Sequence, residues 1–192
     1  IEGSEIVDFV TLGDSEEIVN GNLRRFGFIT AAGYTYAGLV GIPNREESDL
    51  PLISTSAWTT SDRGHNTHTG MVAVREGHPF IFVSQEGGYR PEISEFPIPN
   101  RGLTLARSAA AVLSFANKIA AENKYSIDTD KRILLGESRG GMVGMGVLAL
   151  DRFFGQEVVY ADLTAPCFPR GFERNDVTKL AKHIYGEPRS LV

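Results

Sequence analysis

Short apolar segments alternate with helix-forming segments along most of the 192-residue sequence. This alternation is typical of an α/β fold with a mostly parallel sheet, because parallel strands are buried on both faces and are joined by helical crossovers. Strands are predicted at 6–12, 26–33, 34–43, 51–58, 79–85, 132–136 and 157–163, and helices at 66–76, 104–123, 140–154 and 175–186. The connection at Gly33 is so short that the two strands it joins can only pair antiparallel.

The length and composition favour one globular domain. A chain of 192 residues can enclose a single sizeable core, and no linker, repeat or low-complexity tract divides it, so we predict a single domain over 1–192. The net charge of -5 and the lack of a basic run argue against a nucleic-acid partner. No stretch approaches the roughly 20 apolar residues of a membrane span. Because Cys167 is the only cysteine, the chain has no intrachain disulfide and no cysteine zinc cluster.

The segment ILLGESRGGMVGMG at 133–146 joins a predicted strand to a predicted helix through Gly136-Glu137-Ser138-Arg139-Gly140. This is the G-x-S-x-G pattern of a nucleophile elbow, and its position between a strand and a helix is what makes it informative. A tight turn holds the serine hydroxyl out of the sheet, and the flanking glycines leave room for crowded backbone. The amide of Arg139 would open the helix, where it can donate to a developing oxyanion.

The sequence RILLGESRGGMVGMG, together with the preceding apolar helix and the order of the strands, resembles the fifth strand, elbow and following helix of α/β-hydrolases over roughly residues 26–163. The resemblance implies a three-layer α/β-hydrolase-like sandwich with a mostly parallel sheet and an N-terminal antiparallel hairpin. It implies a serine hydrolase that cleaves a small-molecule ester or related acyl bond through an acyl-enzyme and needs no cofactor. It also implies a second oxyanion donor after the third strand of that family, where this sequence has Trp58 and Thr59 instead of the usual His-Gly.

An activated serine needs a base and an acid, and in this family they follow it in the order Ser, Asp or Glu, His. His183 is the only histidine after Ser138 and is the candidate base, although its amphipathic segment is also typical of a surface histidine. Asp162, near the end of the strand predicted at 157–163, is the candidate acid, with Asp176 as the alternative. The spacing of His65 and His68 would suit two metal ligands, but no further ligands accompany them, so a metal site is not expected. If the two histidines have a function, we expect them to line the cleft opposite Ser138.

The predicted strands stop at about the sixth of the eight usual in the resembled family, and the sequence begins with Ile1. We therefore expect a processed or trimmed chain whose C-terminal part of the fold comes from a second polypeptide or a segment outside this sequence. The compartment stays open, with processing or secretion as the expectation.

Two other functions stay open. One is a non-catalytic binding or interaction protein on an α/β-hydrolase scaffold. The other is a dinucleotide-binding domain, whose fingerprint Gly136, Gly141 and Asp162 loosely imitate. The mismatch with that fingerprint is Ser138, which occupies the position of the glycine that lets the pyrophosphate approach the backbone closely.

Overall fold

The computed structural model describes residues 2–44, 50–57, 63–85, 98–122 and 127–164. The elements of this part of the chain are, in order, β1 (Ile6–Ile18), β2 (Gly21–Thr30), β3 (Thr35–Pro43), β4 (Leu52–Ala57), α1 (Arg63–Arg75), β5 (Phe80–Gln85), α2 (Ile98–Ala121), β6 (Arg132–Glu137), α3 (Arg139–Leu150), a 3-10 turn (Asp151–Phe154) and β7 (Val158–Thr164). Every strand predicted from the sequence is present, and the helix predicted at 175–186 lies outside the described residues.

The seven described strands form one mixed sheet in the order β1-β2-β3-β5-β4-β6-β7. The pairs β1–β2, β2–β3 and β3–β5 are antiparallel, whereas β5–β4, β4–β6 and β6–β7 are parallel. The expectation of a mostly parallel sheet is therefore correct only for the second half. The first strands are joined by short turns, which permit only antiparallel pairing, while helices separate the later ones.

The first strand is longer than the sequence pattern predicts. β1 covers 13 residues and pairs with β2 almost to its end, although its second half is rich in Asp, Ser and Glu. Its side chains are mostly exposed, but Phe9 stacks on Phe26 with ring centres 5.0 Å apart. Pairing to one neighbour and a single aromatic anchor are enough to hold an edge strand whose polar side chains face water.

Helices cover both faces of the sheet. On one face, α1 packs Ala73 and Val74 against an apolar cluster that includes Phe80 and Phe82. On the other face, α2 and α3 pack on a larger cluster centred on Phe115, whose ring stacks on Phe28 at 5.1 Å. None of the described helices is long and apolar enough to cross a membrane.

The parallel strands place their carboxyl ends together. β5, β4, β6 and β7 run in one direction, so Gln85, Ala57, Glu137 and Thr164 end the strands at the same edge of the sheet. In open α/β sheets this edge is where ligands bind. We call it the carboxyl edge.

Candidate active site

Ser138 forms the turn between β6, which ends at Glu137, and α3, which begins at Arg139. Its backbone has φ 53° and ψ -116°, and among the described residues only Asn20 shares a positive φ without being glycine. A side chain makes this conformation unfavourable, and such strain is concentrated at functional sites. The Ser138 residue is exposed at the carboxyl edge. The predicted strand, sharp turn and helix are confirmed.

The glycines of the pattern permit the turn. A Cβ on Gly136 would lie 2.9 Å from the carbonyl oxygen of Gly140 and 2.9 Å from the Cα of Gly141. These are backbone atoms, which cannot move aside as the end of a flexible side chain can. Position 136 therefore accepts only glycine while the first turn of α3 stays where it is.

Two neighbouring strands hold the turn in place. The amide of Ser138 donates to the carbonyl oxygen of Thr164, the last residue of β7, at 3.0 Å. The Ser56 hydroxyl near the end of β4 donates to the carbonyl oxygen of Gly140 at 3.4 Å, a long and weak hydrogen bond. The chain thus leaves β4 close to the first turn of α3, and the candidate donors Trp58 and Thr59 directly follow this strand but lie outside the described residues.

Arg139 is the first residue of α3, as the sequence predicted. The first amides of a helix have no intrahelical acceptor, and the helix dipole favours negative charge beside them. The first turn of α3 carries no acidic residue. The backbone at this position can therefore bind a developing anion without competition from a carboxylate of its own turn.

The structure places Asp162 within β7, opposite Leu135 of β6 and three residues before the level of Ser138. At a rise of about 3.3 Å per residue, this is about 10 Å along the strand. The strand continues to Thr164, whose hydroxyl donates to the Asp162 carboxylate at 3.2 Å. Asp162 is exposed on the sheet, and the structure does not bring it to the turn itself.

The candidate base His183 and the alternative acid Asp176 lie outside the described residues, as does the side chain of His65. His68 is exposed on α1. The Nδ1 atom of His78 lies 2.9 Å from the carbonyl oxygen of Pro51, before β4 and β5 begin and therefore at the edge opposite Ser138. Within the described ranges, no group of three or more His, Cys, Asp or Glu side chains could hold a metal ion.

Buried polar side chains of the central strands were not predicted as structural features. In β4 the Thr55 hydroxyl donates to Asn66 of α1 at 3.1 Å, and both residues are buried. Ser54 of β4 and Ser84 of β5 are fully buried as well. The signal in the sequence is LISTSA, three consecutive hydroxyl residues in a strand that would otherwise be read as apolar.

Comparison with protein-family models and with curated protein sequences gives no match. Among solved structures, the chain is similar to acetyl xylan esterase 1 from Thermoanaerobacterium sp. JW/SL YS485, with a TM-score of 0.57 and 13% identity over 92% of this chain and 69% of that chain. It is also similar to the acetyl xylan esterase from Paenibacillus sp. R4, with a TM-score of 0.57 and 16% identity over 93% of this chain and 62% of that chain. This chain has the α/β-hydrolase fold.

A third similar structure is the rice cell wall degrading esterase LipA from Xanthomonas oryzae, with a TM-score of 0.54 and 16% identity over 86% of this chain and 51% of that one. The chain thus spans between about half and about two thirds of the length of these esterases. Identities this low support the α/β-hydrolase fold alone. The resemblance read from the elbow is confirmed at that level.

Proposed function

We propose that this chain is a serine esterase with Ser138 as its nucleophile. The observation that carries the proposal is the positive φ of Ser138 between β6 and α3, which holds an exposed hydroxyl on a strained turn beside a helix N-terminus. The α/β-hydrolase fold and the naming of similar structures as esterases support an ester as the substrate.

In the proposed reaction, Ser138 Oγ attacks the carbonyl carbon of the ester while a histidine takes its proton. The oxyanion accepts hydrogen bonds from the amide of Arg139 and from an amide of Trp58 or Thr59. Collapse of the tetrahedral intermediate breaks the bond to the alcohol, which leaves with the proton from the histidine. Water then attacks the acyl-enzyme, the histidine takes the proton of the water and returns it to Ser138, and the acid leaves.

We propose His183 as the base, with Asp162 as the acid that orients it. The alternative source of the base is a histidine from a second polypeptide or from a segment outside this chain. Asp162 lies about 10 Å along the strand from the level of Ser138, so its role requires a histidine that reaches from the face of β7 to the turn.

A fluorophosphonate probe tests the nucleophile. We expect the probe to label the folded chain, to label Ser114→Ala equally, and to leave Ser138→Ala unlabelled, because only a serine beside a base reacts. Hydrolysis of a small acetyl ester should fall by about 10⁴-fold or more in Ser138→Ala. Retained labelling of Ser138→Ala contradicts the assignment. Absence of labelling in the complete natural protein, with any second polypeptide present, favours a non-catalytic binding protein on the same scaffold.

The base is tested in the same assay with His183→Ala, using His78→Ala as the control because His78 bonds at the opposite edge. Loss of labelling in His183→Ala alone supports His183. Unchanged labelling of His183→Ala excludes His183 as the base and assigns this role to another histidine.

A further inference from the structure

Four polar side chains meet at the carboxyl edge on the α2 side of the sheet: Tyr34, Tyr36, Gln85 and Arg107, here called the polar edge cluster. Arg107 Nη1 donates to the hydroxyl of Tyr34 at 3.2 Å, and the guanidinium carbon lies 5.4 Å from the centre of the Tyr34 ring. Tyr36 and Gln85 are directly opposite each other on β3 and β5, so their side chains point to the same face.

The phenol of Tyr36 connects the two pairs. Tyr36 is almost fully buried, and burial raises its pKa to about 12, while the Ser108 hydroxyl and the Arg107 charge act in the opposite direction. The phenol therefore stays protonated at neutral pH. Arg107 bonds to Tyr34 and its charge acts on Tyr36, which lies opposite Gln85 in the sheet, so the four residues lie at the same end of β3 and β5.

The register of the sheet sets the cluster beside the elbow. β4 aligns with β5 at Ala57 and Ser84, and with β6 at Thr55 and Leu135. Counting along the strands from these pairs puts Gln85 level with Ser138. Gln85 ends β5 and Ser138 directly follows β6, and only β4 lies between these two strands, so the Cα atoms of Gln85 and Ser138 are about 10 Å apart. One small ester can extend over this distance.

Two atoms of the cluster have no hydrogen-bond partner in the described part of the chain. Gln85 Oε1, an acceptor, and Arg107 Nε, a donor, are buried atoms that bond to nothing among the residues the structure describes. Buried polar atoms are nearly always bonded, and exceptions occur where a ligand or water supplies the bond. A hydroxyl group suits either atom, because it accepts from an N–H and donates to a carbonyl oxygen. A carboxylate would set another acceptor against Oε1, and an alkyl chain would satisfy neither atom.

We propose that the polar edge cluster binds hydroxyl groups on the alcohol part of the ester, so that esters of polyhydroxylated alcohols are the preferred substrates. This inference rests on the proposed function of Ser138. It assigns Gln85 and Arg107 to substrate selection, each through one atom that has no hydrogen-bond partner among the described residues.

Glyceryl monoacetate and propyl acetate test the proposal, because they share the acetyl group and the three-carbon alcohol and differ in two hydroxyls. We expect kcat/KM for glyceryl monoacetate to exceed that for propyl acetate by about tenfold or more, since a site built for hydroxyls discriminates against the analogue without them. This ratio should fall toward one in Gln85→Met and in Arg107→Lys, which lacks the Nε donor. The control Arg25→Lys, at an exposed residue bonded to Glu16 of β1, should keep the ratio of the unchanged chain.

A ratio near one in the unchanged chain, or an unchanged ratio in both folded variants, overturns the proposal and leaves the two atoms bonded to water. Failure of the proposed function is a different result, because then neither ester is hydrolysed. In that case, equilibrium binding of the two esters to Ser138→Ala tests whether the polar edge cluster binds hydroxyl groups. Tighter binding of glyceryl monoacetate that is lost on adding Gln85→Met supports the cluster, and equal binding of both esters overturns it.

Discussion

The two ends of strand β6 lie in opposite environments. At the amino end, Arg132 is fully buried, and its Nε, Nη1 and Nη2 atoms have no hydrogen-bond partner among the described residues. Just past the carboxyl end, Ser138 is exposed on a turn with positive φ. Both features are unfavourable by themselves, since a buried charge loses its hydration and a strained backbone costs about 1–3 kcal/mol.

The contacts that stabilise the two ends differ in kind. Ser138 is held by backbone atoms, through the bond to Thr164 and the close approach of Gly136 to the first turn of α3. Arg132 depends on charge: burial lowers its pKa to about 10, and the carboxylate of Asp151 acts in the opposite direction. Asp151 is itself bonded to the amides of Arg152 and Val158. The reactive end of the strand is thus held by backbone contacts, whereas at the other end the charge of a nearby carboxylate only partly offsets the burial of the cation.

The largest effect on stability should come from removing the Asp151 charge near the amino end of β6. Asp151→Asn removes the carboxylate charge that acts on the Arg132 cation and leaves only one acceptor oxygen for the amides of Arg152 and Val158. We expect the free energy of unfolding to fall by about 3–5 kcal/mol. The double variant Arg132→Met/Asp151→Asn should recover part of this loss, because no charge remains buried although one amide still lacks its acceptor oxygen. Urea denaturation measures both, with the exposed Asp14→Asn as the control. A loss below about 1 kcal/mol for Asp151→Asn would show that Arg132 is stabilised by other groups.

A smaller effect on stability is expected from adding a side chain at Gly136, where the backbone of β6 closely approaches the backbone of α3. Gly136→Ala places a Cβ against Gly140 and Gly141, and we expect it to cost about 2–3 kcal/mol and to reduce labelling of Ser138. The control is Gly144→Ala, whose Cβ would come within 2.6 Å of Leu163 Cδ2, the end of a side chain that can rotate. Since alanine also favours the helix by about 1 kcal/mol, this control should change stability little. Equal losses in the two variants would contradict a special role for position 136.

The smallest expected effect on stability comes from the backbone strain at Ser138. Ser138→Gly removes the Cβ that disfavours a positive φ, whereas Ser138→Ala retains it, so the glycine variant should be more stable by about 1 kcal/mol. At Ser114, within α2, the order should reverse, because alanine is favoured over glycine in a helix interior by about 1 kcal/mol. Chemical denaturation of the four variants tests this reversal. If alanine is the more stable residue at both positions, Ser138 is not strained.

The elbow could be predicted from the sequence because its causes are local. The glycines around Ser138, the apolar strand before them and the helix formers after them all lie within about 15 residues, as turn and packing chemistry require. The types of most other described elements were also predictable from apolar runs and helix-forming residues, but Asp151–Phe154 forms a 3-10 turn where the sequence predicts the end of an α-helix. The limits of the elements were not predictable: α2 begins at Ile98 rather than 104, although the proline and glycine of the IPNRG stretch are typical of a loop.

Features that depend on distant contacts could not be predicted. The antiparallel pairing of β3 with β5 is decided by the order of strands across the whole sheet. In the sequence, Arg132 is a charged residue at the beginning of a predicted strand, where an exposed position would be expected. The packed structure buries it fully. The pairing of Asp162 with Leu135 is likewise a matter of register between β6 and β7. The candidate acid could be named from the sequence, but its distance from Ser138 could not.

The bond from the Ser138 amide to Thr164 has a consequence for protein engineering. A designer who transplants only the strand, bend and helix into another scaffold would leave that amide without its acceptor. The transferable unit includes the end of the adjacent parallel strand, in the same alignment, so the smallest portable nucleophile of this kind comprises two separate pieces of chain.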